Sequence, residues 1–382
     1  MPWNTIIGQR RVKTLLQALL RGGRIPHALL FTGPEGVGKD AVALMTARTL
    51  RCGNPQDGGG SPCNACRGCV TTAALQNPNV RFVFALPAGK GEDSRSDSPL
   101  IKLADSELTV VQEQMALKAT DPYHNIAIPR AQQIKISSIR EIRRDNTLAS
   151  AEPGWRIVII SEAHLMGEGA ANAFLKTLEE PNAHMVLILT SSHREKLLPT
   201  ILSRCQEVRF DSLNEEEIAE ALRRERGVDR TTAALTAKLA EGSFSRAVEL
   251  TGGDLNGLRF DVVALLRAAL RRSPLALHGE IERLTAKGDR YAAERILMLL
   301  SQWLRDALTM RIVGSDRFVV NTDQVRDIQS FNTKFVGAPV DKMITEVDRS
   351  IRAVRSNAQI PLVFTVLGLN LEALAYAGGT TP

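Results

Sequence analysis

Short apolar runs alternate with segments of helical spacing from the start of the chain to about residue 210. The runs predict five strands, at Ala28–Phe31, Val80–Ala85, Ile157–Ile160, Val186–Leu189 and Glu207–Phe210. Buried strands that alternate with helices are typical of a parallel sheet covered by helices on both faces. We therefore predict an α/β domain over residues 1–212.

The strand signals end at about residue 211. Residues 213–253 have helical spacing and end at Gly252 and Gly253, which predicts a small helical domain. Apolar stripes continue beyond it, for example at Ile296, Leu300 and Trp303, and predict an all-helical domain over residues 254–382. These stripes form either the core of a self-contained bundle or a face shared with other subunits.

A polar stretch at about residues 87–131 interrupts the α/β pattern. It contains the run Gly-Lys-Gly-Glu-Asp-Ser at residues 89–94, which is typical of a loop. We predict an inserted, mobile loop outside the core. The sequence does not indicate its role.

Composition narrows the class of protein. With 382 residues, 44% hydrophobic and 24% charged, the chain is too long for one small fold and too apolar for disorder. The net charge of +6 equals that of the first 55 residues, which hold eight basic and two acidic side chains. This basic end either approaches a polyanion or is simply solvated.

Two further patterns bear on location. The longest late uncharged run, residues 356–371, is 16 residues long and too short to span a bilayer. The N-terminus lacks the apolar segment of a signal peptide. We expect a cytoplasmic protein with no membrane partner.

A phosphate-binding loop is predicted between the first strand and the following helix. It contains Gly33, Gly36, Gly38 and Lys39, whose backbone N–H groups and ammonium suit phosphate oxygens. The next residue is Asp40, where the pattern calls for a Ser or Thr hydroxyl on Mg²⁺. Asp40 either disfavours polyphosphate or stabilises its helix as an acidic residue of the first turn.

The third predicted strand ends in Ser161 and Glu162, where ATPases commonly have an Asp-Glu pair. Glu162 is either a remaining base or a solvated strand end. Because Asp40 and Ser161 replace both protein contacts to Mg²⁺, we do not expect Mg²⁺ binding or ATP hydrolysis by this chain alone. The surviving loop glycines leave ATP binding open.

A metal site is predicted from four cysteines: Cys52, Cys63, Cys66 and Cys69. Four thiolates satisfy tetrahedral Zn²⁺ and leave no open position, so the ion would be structural and not catalytic. The alternative is disulfides, which a cytoplasmic compartment disfavours. Cys205 stands apart, and we predict a packed thiol there.

Two strings are more specific than any single motif. Residues 172–181 are Asn-Ala-Phe-Leu-Lys-Thr-Leu-Glu-Glu-Pro, and residues 202–205 are Leu-Ser-Arg-Cys. Together with residues 6–9, the phosphate loop and the cysteine insertion, they resemble the bacterial DNA polymerase III clamp loader, an AAA+ family. The resemblance covers nearly the whole chain outside residues 87–131.

The resemblance implies roles for individual residues. Arg204 matches the arginine finger that reaches into a neighbouring subunit's ATP site; an ordinary surface ion pair is the alternative. Arg246 matches the sensor of the lid domain and would be vestigial. Ser191 and Ser192 lie where the family places its first sensor, and a capping or turn role is equally open.

Within the family, motor subunits keep an intact ATP site, whereas delta-prime subunits often lose it and retain Ser-Arg-Cys. The chain resembles the delta-prime type, with an active gamma/tau-like motor and a DNA-binding protein outside any loader as alternatives. Implied partners are the gamma/tau motor and delta subunits, the sliding clamp and primer–template DNA. A predicted helix at residues 134–146 offers four basic side chains to DNA or to solvent: Lys135, Arg140, Arg143 and Arg144.

Overall fold

The chain forms two compact units, residues 1–226 with 241–246 and residues 227–240 with 247–382. The computed structural model describes residues 3–88, 98–101, 103–147, 154–182, 184–251, 254–286, 288–356 and 358–377. The division into an α/β domain, a small helical (lid) domain at residues 213–253 and an all-helical (collar) domain at residues 254–382 stays a prediction.

The first unit contains a five-stranded sheet. Its strands are β1 (Ala28–Thr32), β2 (Val80–Val83), β3 (Arg156–Ile160), β4 (Met185–Ser191) and β5 (Gln206–Arg209). All pairs are parallel and the order is β2-β3-β4-β1-β5. The five predicted strands and the parallel sheet are confirmed. Because parallel strands end at one edge, the loops after β1, β3 and β4 lie together there.

Helices cover this sheet. In the first unit they are α1 (Arg10–Arg21), α2 (Lys39–Leu50), α3 (Arg67–Ala73), α4 (Asp105–Thr120), α5 (Ile136–Thr147), α6 (Glu168–Glu179), α7 (Pro199–Leu202) and α8 (Glu215–Arg226). Ile139 of α5 and Phe174 of α6 pack with Leu30 and Leu187 of the strands in one buried cluster. Strand alternation turns Leu29 and Ile188 to the opposite face, where α2 packs against β3 and β4.

Helix α4 corrects the prediction of a loop at residues 87–131. It has 16 residues, and the Glu107 carboxylate accepts a hydrogen bond from the Ala104 N–H at 3.0 Å. Val111 packs with Leu86, Leu103 and Ile128 in a small apolar cluster. This part of the segment therefore belongs to the folded unit. Residues 89–97 and 102 lie outside the described residues.

The second unit is all-helical among its described residues, as predicted. Its helices are α9 (Arg230–Leu239), α10 (Phe244–Thr251, of which residues 244–246 belong to the first unit), α11 (Leu255–Leu270), α12 (Pro274–Thr285), α13 (Arg290–Val313), α14 (Val325–Lys334), α15 (Val340–Arg355) and α16 (Ile360–Ala377). Leu300 and Leu304 of α13 pack with Met343 and Val347 of α15 in a shared core.

Helix α16 corrects the argument that excluded a membrane-spanning segment by length. The helix continues to Ala377, and its 18 residues have a mean hydropathy of 1.6, so length and composition alone would permit a span. Val363, Phe364 and Leu367 nevertheless lie in the core of the second unit. Of this 18-residue window, 39% is buried, and core helices of soluble proteins also pass the test of length and composition.

Candidate functional site

The predicted phosphate loop connects β1 to the first turn of α2. Gly36 and Gly38 have φ angles of 75° and 97°, which glycine adopts without strain. The Gly36 carbonyl accepts a hydrogen bond from the Phe244 N–H at 2.9 Å. A Cβ added at Gly36 would lie 2.0 Å from Ser243 Oγ, and one at Gly38 would lie 2.9 Å from Tyr123 Cε1. Both positions therefore require glycine in this packing.

Lys39 is turned towards the loop's own backbone. Its Nζ donates to the carbonyl oxygens of Gly33 at 2.9 Å and Pro34 at 2.7 Å. The side chain is only 4% exposed, and Glu162 Oε1 lies 3.8 Å from the ammonium. Burial lowers the pKa of Lys39. The ammonium that would contact the outer phosphates is thus satisfied within the protein.

Three side chains contact the Asp40 carboxylate. Its Oδ2 accepts from Ser161 Oγ at 2.7 Å and its Oδ1 from Thr190 Oγ1 at 2.8 Å. The Lys118 Nζ lies 3.0 Å from Oδ2. Burial alone would raise the pKa of Asp40, but the charge of Lys118 and the two hydroxyl donors outweigh it and lower the pKa.

The two departures from the ATPase pattern, Asp40 and Ser161, are linked in the structure. Asp40 does lie in the first turn of α2 as an acidic residue, but its carboxylate is bound mainly to side chains of other elements. Asp40 and Ser161 are not independent losses, because they are hydrogen-bonded to each other. The contributions of Lys118 and Thr190 were missed from the sequence, since neither belongs to the motif.

Glu162 follows Ser161 in a left-handed conformation, with φ of 50°. Its Oε2 accepts from the Ser192 N–H at 3.0 Å and from Ser192 Oγ at 2.6 Å. His164 Nδ1 lies 3.2 Å from the same oxygen and 3.2 Å from Ser191 Oγ. Glu162 is therefore tied to the end of β4 and is not a solvated strand end. Burial lowers the pKa of His164 to about 4.

Arg204 lies just after the end of α7, and its described contacts are not with the phosphate loop. Its guanidinium donates to Glu179 Oε1 at 2.8 Å and to the Thr200 carbonyl at 3.1 Å, and the side chain is 37% exposed. The next residue, Cys205, packs against the core, and burial raises its pKa to about 12. The predicted packed thiol is confirmed.

Arg246, matched to the lid sensor, forms an ion pair with Glu241. Its Nη1 donates to Glu241 Oε2 at 2.7 Å. The neighbouring Phe244 N–H binds the Gly36 carbonyl, so it is the backbone at the start of α10 that contacts the loop. A sensor role for Arg246 stays a prediction.

The four predicted metal ligands converge. The sulfur atoms of Cys52, Cys63, Cys66 and Cys69 all lie within 4.8 Å of one another. The Cys52–Cys66 and Cys63–Cys69 sulfur distances are 3.9 and 4.0 Å, close to the roughly 3.8 Å edge of a tetrahedron with Zn–S bonds of about 2.3 Å.

Local structure positions these sulfurs. Cys66 precedes α3 and Cys69 lies in its first turn. The N–H groups of Gly53 and Cys63 donate to the sulfurs of Cys66 and Cys52 at 3.3 and 3.2 Å, which suits thiolates. Burial opposes ionisation of the thiols and raises the pKa of Cys69 to about 12, yet hydrogen bonds from Cys69 and Gly53 lower the pKa of Cys66 to about 6. The donor set therefore fits a metal ion, and all four cysteines are free thiols in this structure.

Helix α5 has the amphipathic character predicted for it. Ile139 and Ile142 are fully buried, whereas Arg140, Arg143 and Arg144 are exposed. Lys135 precedes the helix, and its Nζ approaches the Pro99 carbonyl at 3.5 Å. The exposed face carries positive charge, and contact with DNA stays a prediction.

The chain is similar to several known proteins. The family model described as "DNA polymerase III, delta subunit" matches residues 8–214. The delta' subunit of Bacillus subtilis DNA polymerase III is 26% identical over 366 residues, covering 95% of this chain and 96% of that protein.

Other relatives are longer proteins. The gamma/tau subunit of Mycobacterium tuberculosis is 30% identical over 205 residues, which cover 54% of this chain and 28% of that subunit. The tau subunit of Escherichia coli is 29% identical over 251 residues, covering 64% of this chain and 32% of that subunit. The chain thus spans about a third or less of these relatives. A gamma-subunit-related protein of Thermotoga maritima has a TM-score of 0.42 at 16% identity, covering 94% of this chain and 99% of that structure.

Proposed function

Because the chain belongs to the DNA polymerase III clamp-loader AAA+ family, we propose that it is the delta-prime subunit of the loader. In this role it assembles with gamma/tau motor and delta subunits and helps to place the sliding clamp on primed DNA. The observation that carries the proposal is the match to a delta' subunit over 95% of this chain. The matches to tau and gamma/tau subunits cover only 64% and 54% of this chain.

The chain's own ATP site supports a role without hydrolysis. A motor needs a hydroxyl and a carboxylate on Mg²⁺ beside the phosphate loop. Asp40 and Ser161 stand at those positions, and each satisfies the other with a 2.7 Å hydrogen bond. Lys39 is bound to two loop carbonyls. Glu162 is held by Ser192, so a role as base is vestigial.

Arg204 gives the chain a contribution to a neighbouring subunit. A guanidinium presented in trans stabilises the charge that develops on the transferring phosphoryl group. Arg204 is exposed, and its guanidinium contacts Glu179, the Thr200 carbonyl and Ser203 Oγ. An exposed ion pair of this kind is weak, so exchanging Glu179 for a phosphate costs little.

The cysteine cluster serves the fold. We propose that Cys52, Cys63, Cys66 and Cys69 bind one structural Zn²⁺, which would cross-link the segment between α2 and α3 without a hydrophobic core. The exposed arginines of α5 are proposed to contact the phosphates of primer–template DNA without reading its sequence.

Reconstitution tests the proposed role. The purified chain is mixed with motor and delta subunits of a bacterial loader, and assembly is followed by size-exclusion chromatography with multi-angle scattering. We expect one defined complex that loads clamps on primed DNA, and no loading when this chain is omitted. Self-assembly into an oligomer that loads clamps without motor subunits would favour the gamma/tau-like alternative.

A further inference from the structure

Helix α4 brings a buried cation to the phosphate loop. Lys118 lies near its C-terminal end, and its side chain is only 2% exposed. The ammonium lies 3.0 Å from Asp40 Oδ2 and donates to the His124 carbonyl at 2.8 Å. A lysine is seldom buried without a partner of opposite charge. Here that partner is the residue that departs from the phosphate-loop pattern.

The same segment brings an aromatic ring to the loop. Tyr123 is 7% exposed, and its hydroxyl accepts a hydrogen bond from the Ile7 N–H at 2.8 Å. Its ring is so close to Gly38 that an added Cβ would lie 2.9 Å from Cε1. Ser245 Oγ donates to the Tyr123 carbonyl at 2.6 Å, and the Phe244 ring packs edge-on at 4.9 Å between centroids. The ring is thereby fixed on the loop.

Lys118 and Tyr123 contact residues that would surround a bound nucleotide and its Mg²⁺. Phosphates bind the N–H groups of the loop and of the first turn of the following helix, and Mg²⁺ binds beside the residue after the lysine. The Tyr123 ring packs against the α-carbon of Gly38, and Lys118 supplies positive charge beside Asp40. Lys39, which would meet the outer phosphates, is bound to Gly33 and Pro34.

We infer that residues 105–131 are a built-in occupant of the nucleotide site, in which the Lys118 ammonium takes the place of Mg²⁺ and the Tyr123 ring excludes a nucleotide at Gly38. The loop is then ordered without ATP. This assigns a role to residues 105–131, and its biological meaning rests on the proposed non-hydrolysing function. An ordinary buried ion pair between Lys118 and Asp40 would show the same distances. In that case, however, Mg²⁺ would not be able to replace the Lys118 ammonium.

Metal rescue separates these explanations. Lys118→Ala leaves the Asp40 carboxylate largely buried without its cation, beside the hydroxyls of Ser161 and Thr190. Thermal unfolding of the full chain is measured in millimolar MgCl₂ and in NaCl of equal ionic strength. We expect no Mg²⁺-dependent shift for the wild type, and a lowered midpoint for Lys118→Ala that MgCl₂ restores by at least half. Asp40→Asn/Lys118→Ala should lose this rescue, and Lys238→Ala, an exposed lysine of α9, should behave as the wild type.

Nucleotide binding tests the second part of the inference, that the Tyr123 ring excludes a nucleotide. ADP affinity is measured by calorimetry for the wild type, Tyr123→Phe and Tyr123→Ala. Tyr123→Phe keeps the ring and should bind as weakly as the wild type, whereas Tyr123→Ala should bind at least about tenfold more tightly. This arm decides the matter if Lys118→Ala does not fold.

Three results would overturn the inference: no Mg²⁺ rescue of folded Lys118→Ala, equal ADP affinity for wild type and Tyr123→Ala, or micromolar binding of ADP to the wild type. None of them would touch the proposed role in the assembly. That role fails separately, through failure to assemble or through ATP turnover that depends on Lys39.

Discussion

The side chains of Asp40 and Ser161, the two departures from the usual ATPase pattern, are hydrogen-bonded to each other at 2.7 Å. They lie on different elements, at the start of α2 and after β3. The pair also receives a hydrogen bond from Thr190 and the charge of Lys118. A substitution at either position therefore acts on the other.

The first prediction measures this coupling. Ser161→Asp places a second carboxylate against Asp40, and we expect a loss of about 2–4 kcal/mol in the free energy of unfolding because the two adjacent carboxylates repel each other and Lys118 already pairs with Asp40. Ser161→Ala, the matched control, should cost about 1 kcal/mol. In Asp40→Ser/Ser161→Asp the single carboxylate returns, and much of the loss should be recovered. Additive effects in urea denaturation would show that the two residues act independently.

The second prediction concerns ATP turnover by the isolated chain. Without a hydroxyl at position 40 and a carboxylate at position 161, Mg²⁺ has too few protein ligands for hydrolysis. We expect no turnover above a buffer blank in a coupled phosphate-release assay, and the same result for Lys39→Ala. If the wild type hydrolyses ATP and Lys39→Ala abolishes the activity, the chain is a motor subunit.

The third prediction concerns metal. Elemental analysis of protein purified without chelator should find one zinc per chain, held by Cys52, Cys63, Cys66 and Cys69. Cys66→Ser should lose most of the metal and several kcal/mol of stability, because binding free energy is folding free energy at such sites. The control Cys205→Ser should keep its zinc. Four freely titrating thiols in metal-free, fully stable protein would contradict the site.

The fourth prediction concerns pH. The pKa of His164 is lowered to about 4 by burial, with the nearby His193, Lys196 and Lys39 acting in the same direction. The unfolded chain, where His titrates near 6.5, therefore binds more protons between these values, and stability is lost as pH falls from about 6.5 towards 4. His164→Asn should flatten this part of the profile by up to about 3 kcal/mol relative to the wild type. Parallel profiles for the two proteins in urea denaturation would refute the assignment.

Local patterns predicted much of this structure, and contacts distant in sequence were not predictable. The strand at Ile157–Ile160 is a continuous apolar run because both faces of a parallel strand are buried, and the cysteine cluster follows from local spacing. Helix α4 was missed because its acidic and polar residues obscured the apolar positions. The burial of Lys118 and Tyr123 was beyond sequence reasoning, since their partners Asp40 and Ile7 are distant in the sequence.

Clamp loading by an assembled loader that carries Arg204→Ala is the most direct test of the proposed function. Removing an arginine finger costs about 10³-fold or more at the site it serves, and in a multi-site loader the loss of total ATP hydrolysis would be smaller. Arg204→Lys should rescue little, because an ammonium lacks the planar fork of the guanidinium. Arg194→Ala, another exposed arginine paired with a glutamate, is the matched control.

We expect Arg204→Ala to keep its fold, its zinc and its place in the complex, while DNA-stimulated ATP hydrolysis falls and clamp loading slows well below the rate with Arg194→Ala. Arg204→Ala complexes that load clamps at the wild-type rate would contradict the proposal that this chain completes the ATP site of its neighbour.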